Sequence, residues 1–375
     1  MWAEEQVWID GDAWFADLLT AIAAARRRVW LETYIFAPDD LGARIVAALR
    51  AASERGCDVR LLVDGVGAAA WLRTCPGCDP GVPLRVWNPL PWAAARRAGM
   101  FRRWRWLARM NRRDHRKLCL LDDGVAWVGS FNIDGCHLRE LSGDRAWRDS
   151  GARVAGPGAD ELHAAHEHAW RRAWPVIDGR MRLSLRLPST ARRPEPSGDV
   201  RLNHLWSARR GAYRDLLRRL HAARTRIWIS NAYVVPRGSF LRALASAARR
   251  GVDVRLLAPA RADVPFMPWV GAIFAEALRS RGVRVFAYLP RMLHAKTMLI
   301  DDRALVGSHN LNSRSFLHDL EAEVVLAHPA SITALETAFT ADCAEAHELE
   351  TPARALLPWW QRLIGQTMLL MKRWL

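Results

Sequence analysis

Two stretches of the chain carry the same alternation of apolar and polar positions. Residues 26–65 read RRRVWLETYIFAPDDLGARIVAALRAASERGCDVRLLVDG, and residues 224–259 read RTRIWISNAYVVPRGSFLRALASAARRGVDVRLLAP. Each opens with a short apolar run, passes a polar turn, and continues with alanine and leucine at helical spacing. Each then meets a glycine stop and ends in DVRLL. Strand, amphipathic helix and strand in that order predict a β-α-β unit, with parallel strands and the helix packed on the sheet. Its recurrence marks a duplicated unit.

Each copy runs on to a second matched segment, HRKLCLLDDGVAWVGSFN (115–132) and HAKTMLIDDRALVGSHN (294–310). Both read as hairpins: strand, tight Asp-Asp turn, strand, then Gly-Ser. Residues 186–199, rich in Pro, Ser and Arg, read as a linker. The layout is a first lobe over 1–185, a second over 200–350 and a tail over 351–375. The predicted fold class is α/β: two lobes related by a pseudo-twofold axis, each a mixed β-sheet flanked by helices. That symmetry brings the two His-x-Lys segments face to face at the lobe interface.

Charge narrows the partners. The 375 residues carry a formal charge of +16 with a pI near 10.8, which predicts attraction to something anionic. Of the 55 basic residues, lysine appears only at 117, 296 and 372. Two of those three stand two residues after a histidine. Nineteen tryptophans fit both a membrane interface and a nucleic-acid surface. The start, MWAEEQVWIDGDAW, is acidic and does not resemble a signal peptide. No apolar run reaches the roughly 18 residues of a membrane span. The expectation is a protein on the cytoplasmic face of the membrane, bound peripherally. Cys75 and Cys78 form a lone C-x2-C, read as a turn because no second pair stands at zinc-site spacing.

In a strand, residues two apart share a face, so His115 sides with Lys117 and His294 with Lys296. Asp122 and Asp301 follow five residues past each lysine, at the strand end, and are expected to brace the turn. Ser130 with Asn132, and Ser308 with Asn310, can donate hydrogen bonds to phosphate oxygens. Singly, each piece has a bland reading: a structural histidine, a solvated lysine, a plain turn. The pattern H-x-K-x4-D with G-S-x-N, twice, at matching places of a repeat, favours chemistry. Two facing sets suit phosphodiester transfer. One imidazole attacks phosphorus while the other gives and takes the proton, and the lysines and asparagines offset charge on the transition state. That division asks the two histidines for opposite protonation states.

The double HxKxxxxD motif resembles that of the phospholipase D superfamily, over nearly the whole chain, and most resembles the bacterial cardiolipin synthases. LETYIFAPDD, WRDSGARVAGP, NAYVVP and NLNSRSFLHDLEAE carry the closer likeness. The resemblance implies a catalytic set of His115, Lys117, Asp122, His294, Lys296 and Asp301, with His115 as nucleophile and His294 as acid and base. It implies Asp149 and Glu321 as the acids that orient the histidines, with Glu323 a rival for the second. It implies no metal and no cofactor, and a phosphatidyl group moved between glycerophospholipids, with a phosphatidylglycerol-type substrate. A hydrolase or a nuclease of the same superfamily are the alternatives. Two departures stand out: the second hairpin is one residue shorter, and Asn312 replaces an aspartate common in the family.

Three surface stretches remain. Residues 96–116 interleave basic and aromatic residues and read as an active-site rim for anions, with lipid ahead of nucleic acid. The tail, PWWQRLIGQTMLLMKRWL, reads either as an in-plane amphipathic anchor on an anionic phospholipid surface or as a helix docked on its own domain. HAAHEHAW (163–170) reads as a solvated helix rather than a metal site.

Overall fold

The computed structural model describes residues 1–74, 80–89, 112–122, 124–177, 180–182, 197–264, 266–350 and 357–370. The Cys75/Cys78 pair, most of the 96–116 stretch, most of the linker and both ends of the tail lie outside these residues.

Two mixed sheets carry the fold, and the eight strands of the second correspond in order to the first eight of the nine in the first. In the first lobe the order runs Glu4–Trp8, Gly151–Ala155, Val125–Gly129, Leu118–Leu121, Arg28–Thr33, Asp58–Asp64, Leu84–Trp87, Trp174–Ile177, with Arg180–Met181 at the edge. In the second it runs Val200–Leu202, Ala322–Leu326, Arg303–Gly307, Lys296–Ile300, Arg226–Asn231, Asp253–Pro259, Arg284–Tyr288, Ala346–Glu348. Arg28–Thr33 and Asp58–Asp64 pair in parallel, as do Arg226–Asn231 and Asp253–Pro259. The intervening helices, Asp40–Glu54 and Gly238–Arg249, bury Leu41, Ile45 and Leu49, and Phe240, Ala243, Leu244 and Ala247. Those spacings are one helix face, so each apolar stripe covers the outer side of its sheet.

The inner sides of the sheets meet. Leu118, Leu120, Val128, Ala152 and Val154 form one core with Leu299, Val306, Ala322, Val324 and Leu326. Strands buried on both sides read as continuous apolar runs, which explains LCLL and VVL. Two helices cross between lobes. Ala159–Arg172 packs on the edge strand Val200–Leu202, and Pro329–Ala344 on Glu4–Trp8. The HAAHEHAW helix is therefore not solvated, contrary to its polar reading. His166 is fully buried, stacked on Trp30 with Nδ1 2.9 Å from Glu32. Among the described residues, no group of His, Cys, Asp and Glu could hold a metal ion.

The hairpin turns are built on aspartate. Asp122 and Asp301 adopt φ of +40° and +50°, a left-handed conformation that Asp tolerates better than most residues. Asp122 accepts the N–H groups of Arg26, Arg27 and Arg28, and Asp301 those of Arg224, Thr225 and Arg226. The one-residue difference is confined to the loops, because Leu121 pairs with Val125 and Ile300 with Arg303. Both aspartates fasten the hairpin to the neighbouring strand. Asp122→Ala or Asp301→Ala is expected to cost about 1–2 kcal/mol through lost acceptors at a partly solvated site. The melting temperature should fall by a few degrees, with kcat unchanged where both proteins are folded. A loss of kcat at unchanged melting temperature would contradict this bracing part.

Candidate active site

The two His-x-Lys segments meet where the lobes join. Two short parallel bridges hold them there, Asp114 with Leu320 and Arg148 with Leu293. His115 N–H donates to the Leu320 carbonyl, and His294 N–H to the Arg148 carbonyl. Each histidine is thereby set beside the residue that follows in the other lobe. His115 Nδ1 lies 3.1 Å from Glu321, and His294 Nδ1 lies 3.0 Å from Asp149 Oδ1. The carboxylates are crossed: each lobe supplies the acid for the other lobe's histidine. Glu323 lies elsewhere, 3.0 Å from Arg201 and 3.7 Å from His309.

Glycine makes this closeness possible. A Cβ on Gly129 would sit 2.8 Å from the Ser150 carbonyl oxygen, and one on Gly307 would sit 2.2 Å from that of Ala322. The Gly-Ser pairs are thus points of close strand approach beside the acids, rather than turns. Their serines are engaged within the protein. Ser130 Oγ donates to the Ser150 carbonyl at 2.9 Å, and Ser308 Oγ donates to Glu321. The hydroxyls expected to face phosphate therefore hold the acid-bearing strands. The asparagines differ. Asn132 Oδ1 accepts from Ile35 N–H, and among the described residues no hydrogen bond engages its Nδ2. Asn310 Oδ1 is buried and unpaired among the described residues. Asn312 caps the helix Ser313–Leu317, accepting from Ser315 N–H at 2.9 Å, so the departure from aspartate keeps the capping oxygen.

Both lysines are buried, and each ammonium donates to the carbonyl of the histidine before it, at 2.7 Å. Lys296 Nζ also lies 3.0 Å from His294 Nε2. Among the described residues no protein group bonds His115 Nε2. Arg116, between His115 and Lys117, points the other way and is fully buried against Glu32 and Asp114. Arg113 is likewise buried, 3.5 Å from Asp64. At the described end of the basic stretch Arg113 and Arg116 are therefore internal and not part of an anion-binding rim, whereas Arg112 is exposed. Tyr34 lies 4.9 Å from His115 ring to ring, with Lys117 Nζ 5.2 Å above it.

Burial governs the charges. It lowers His115 to about 4 against the pull of Glu321, and lowers His294 to about 3 with help from Lys296. Burial and the facing Lys296 bring Lys117 down to about 7, and burial brings Lys296 down to about 8. Burial opposes ionisation of Glu321, but His115 and its hydrogen bond outweigh this and hold it at about 2. Asp149 is held well below the carboxylate range, because His294 and His137 outweigh its burial. Without substrate, burial favours the neutral form of both imidazoles near pH 7. What distinguishes them is Nε2: open on His115, next to an ammonium on His294.

The family described as "Cardiolipin synthase, PLD-like domain" matches residues 18–149 and 216–343. The chain belongs to that family. It is a phosphatidyltransferase of the phospholipase D superfamily. It is 30% identical over 369 residues to cardiolipin synthase B of Escherichia coli K12, covering 94% of this chain and 83% of that one. It is 32% identical over 355 residues to cardiolipin synthase A of Pseudomonas fluorescens, covering 91% and 68%. Phosphatidylserine synthase of Haemophilus influenzae Rd KW20 superposes with a TM-score of 0.70 over 99% of this chain and 95% of its own, at 14% identity. Polyphosphate kinase of Porphyromonas gingivalis does so at 0.56, over 98% and 56%, also at 14% identity. At that identity both show the fold alone.

The lysines give this family member a pH signature. A phosphodiester anion is drawn in by their protonated forms, and lysine loses its proton as pH rises. On the other side, burial keeps His115 neutral down to about pH 4, the form that an attacking imidazole would need. Second-order turnover, kcat/KM, is therefore expected to fall as pH rises through 7 to 8, and to fall again below about 4. The alkaline limb of kcat should lie higher, because bound phosphate stabilises the ammonium ions. A kcat/KM that rises between pH 7 and 9 would contradict this electrostatic account.

Proposed function

We propose that this enzyme passes a phosphatidyl group between glycerophospholipids, most simply from one phosphatidylglycerol to the headgroup of another, through a phosphohistidine on His115. The observation that carries the proposal is the unlike environment of the two Nε2 atoms within otherwise matched His–carboxylate pairs. His115 Nε2 is open and its Nδ1 proton is oriented by Glu321, so its lone pair is free to attack phosphorus. The P–N bond forms as the P–O bond to the leaving glycerol breaks. His294 Nε2 receives a proton from the Lys296 ammonium 3.0 Å away and passes it to the leaving alkoxide. The incoming phosphate charge favours that imidazolium. His294 then takes the proton of the acceptor hydroxyl as its oxygen displaces His115, and returns it to Lys296, restoring the ammonium. Lys117 and the Nδ2 groups of Asn132 and Asn310 stabilise the equatorial oxygens. Asp122 and Asp301 act through the fold, and Ser130 and Ser308 through the strands they tie.

The proposed working place is an anionic membrane surface on its cytoplasmic face. Among the described residues no helix is long and apolar enough to cross a membrane. The tail helix Trp359–Leu370 packs against Met267–Arg279, where Gly365 meets the Trp269 carbonyl and Trp360 meets the Trp269 ring. Docking leaves Trp359, Leu363 and Leu370 outside, at 75%, 56% and 85% exposure. A helix packed on its own lobe that still presents apolar residues outward fits contact with a lipid interface.

Incubation with labelled phosphatidylglycerol vesicles, with products resolved by mass, tests the reading. Cardiolipin plus glycerol is the expected outcome, with Trp359→Ser/Leu363→Ser lowering both vesicle sedimentation and turnover. Phosphatidic acid alone would assign a hydrolase. Lipid left intact with DNA nicked would replace the reading by a nuclease.

A further inference from the structure

Asp149 serves two imidazoles. Its Oδ1 lies 3.0 Å from His294 Nδ1, and its Oδ2 lies 2.8 Å from Nδ1 of His137. His137 is fully buried, in the one-turn helix Gly135–His137. Its ring is met edge-on by Phe131 and Trp147, 5.7 and 5.5 Å away by ring centre. Its other nitrogen, Nε2, accepts the N–H of Asn132 at 3.2 Å. An accepting Nε2 carries no proton, so the single proton of the neutral ring is on Nδ1, 2.8 Å from Asp149 Oδ2 in a close polar contact bent away from hydrogen-bond alignment. The ring thus joins two parts of the site: the carboxylate behind His294 and the backbone of Asn132.

The second lobe does the same with a different side chain. His137 stands five residues after Asn132, and Ser315 stands five residues after Asn310. Ser315 Oγ donates to Glu321 Oε1 at 2.6 Å, behind His115. The duplicated motif therefore places a neutral hydrogen-bond donor at one offset in both halves, imidazole in one and hydroxyl in the other. We propose that His137 is a positioning residue, whose Nδ1–H fixes Asp149 on His294 as the Ser315 hydroxyl fixes Glu321 on His115. A donor to a carboxylate stabilises its negative charge and lessens its pull on the histidine it orients. Losing that donor therefore makes His294 more basic. The other titratable groups facing the pair are Lys296 on His294, and Lys117, Cys136 and Tyr233 around Asp149, of which burial keeps the thiol and the phenol neutral. All are common to the variants below.

The proposal rests on His294 as proton carrier, so the test reads His294 directly as well as turnover. Asparagine at 137 places an amide N–H where His Nδ1 stands, whereas glutamine reaches the Asn132 N–H and forgoes Asp149. The full chain with His137→Asn, His137→Gln and His137→Leu is titrated by NMR on ¹⁵N-histidine-labelled protein, and kcat and KM are measured against pH. In His137→Gln and His137→Leu the His294 titration is expected to move up by about 0.5–1 pH unit. Their kcat should drop about 10- to 100-fold, in the range seen when a partner behind a catalytic ligand is lost, with KM little changed. His137→Asn should restore both. A His294 titration unmoved in folded Gln and Leu variants, or an Asn variant no better than Gln, would overturn the proposal. The titration needs no substrate, so a wrong lipid assignment would show in the vesicle products while leaving this result intact.

Discussion

The structure depends on an exchange of carboxylates between lobes. Neither lobe supplies the acid behind its own His-x-Lys histidine, since Glu321 stands behind His115 and Asp149 behind His294. Two buried carboxylates and two buried ammonium groups are costly to desolvate, and only their mutual proximity offsets that cost. The bridges at Asp114–Leu320 and Arg148–Leu293 set that proximity through main-chain bonds, which side-chain motion does not loosen. The apolar core shared by the inner sheet faces then fixes the lobes as one body around the site.

That arrangement explains why the chain keeps lysine where it otherwise writes arginine. Arg116 shows what a buried guanidinium does here: its fork is taken up by Glu32 and Asp114. Lys117 and Lys296 keep a compact charge beside a histidine, with the carbonyl bond as a pivot. Burial also brings both close to neutrality near physiological pH, so an arriving phosphate changes their charge as well as meeting it. The protein's symmetry is approximate where chemistry needs difference. Lys296 reaches His294 Nε2, whereas Lys117 leaves that of His115 open.

Much of this was legible in the sequence because it is local. A period of two aligns His with Lys; a repeated DVRLL marks the parallel strands; an aspartate pair predicts each hairpin turn. The identities of the orienting acids could be read from the resemblance, but their crossing could not, because it is set by how the lobes pack. For the same reason the HAAHEHAW helix looks solvated by composition and is covered by the second lobe's edge strand. Ser130 and Ser308 look like phosphate donors until the strand approach at Gly129 and Gly307 is seen. His137 was missed because histidine has no copy at that place in the repeat. Comparing offsets rather than identities would have found it, since Ser315 holds the same position. Tyr34 gave no signal beyond its place after the first strand.

The crossing is the central claim, and the covalent intermediate tests it most directly. Rapid acid quench with labelled phosphatidylglycerol, followed by peptide mapping, reads how fast phosphate reaches His115 and how fast it leaves. Glu321→Gln is expected to suppress formation of the intermediate, since its partner in the other lobe is the proposed nucleophile. Asp149→Asn is expected to let it form, more slowly, and then persist, since the part proposed for its partner includes activating the acceptor. The reverse pattern, with Asp149→Asn blocking formation and Glu321→Gln trapping the intermediate, would mean that each acid serves the histidine of its own lobe and would contradict the account.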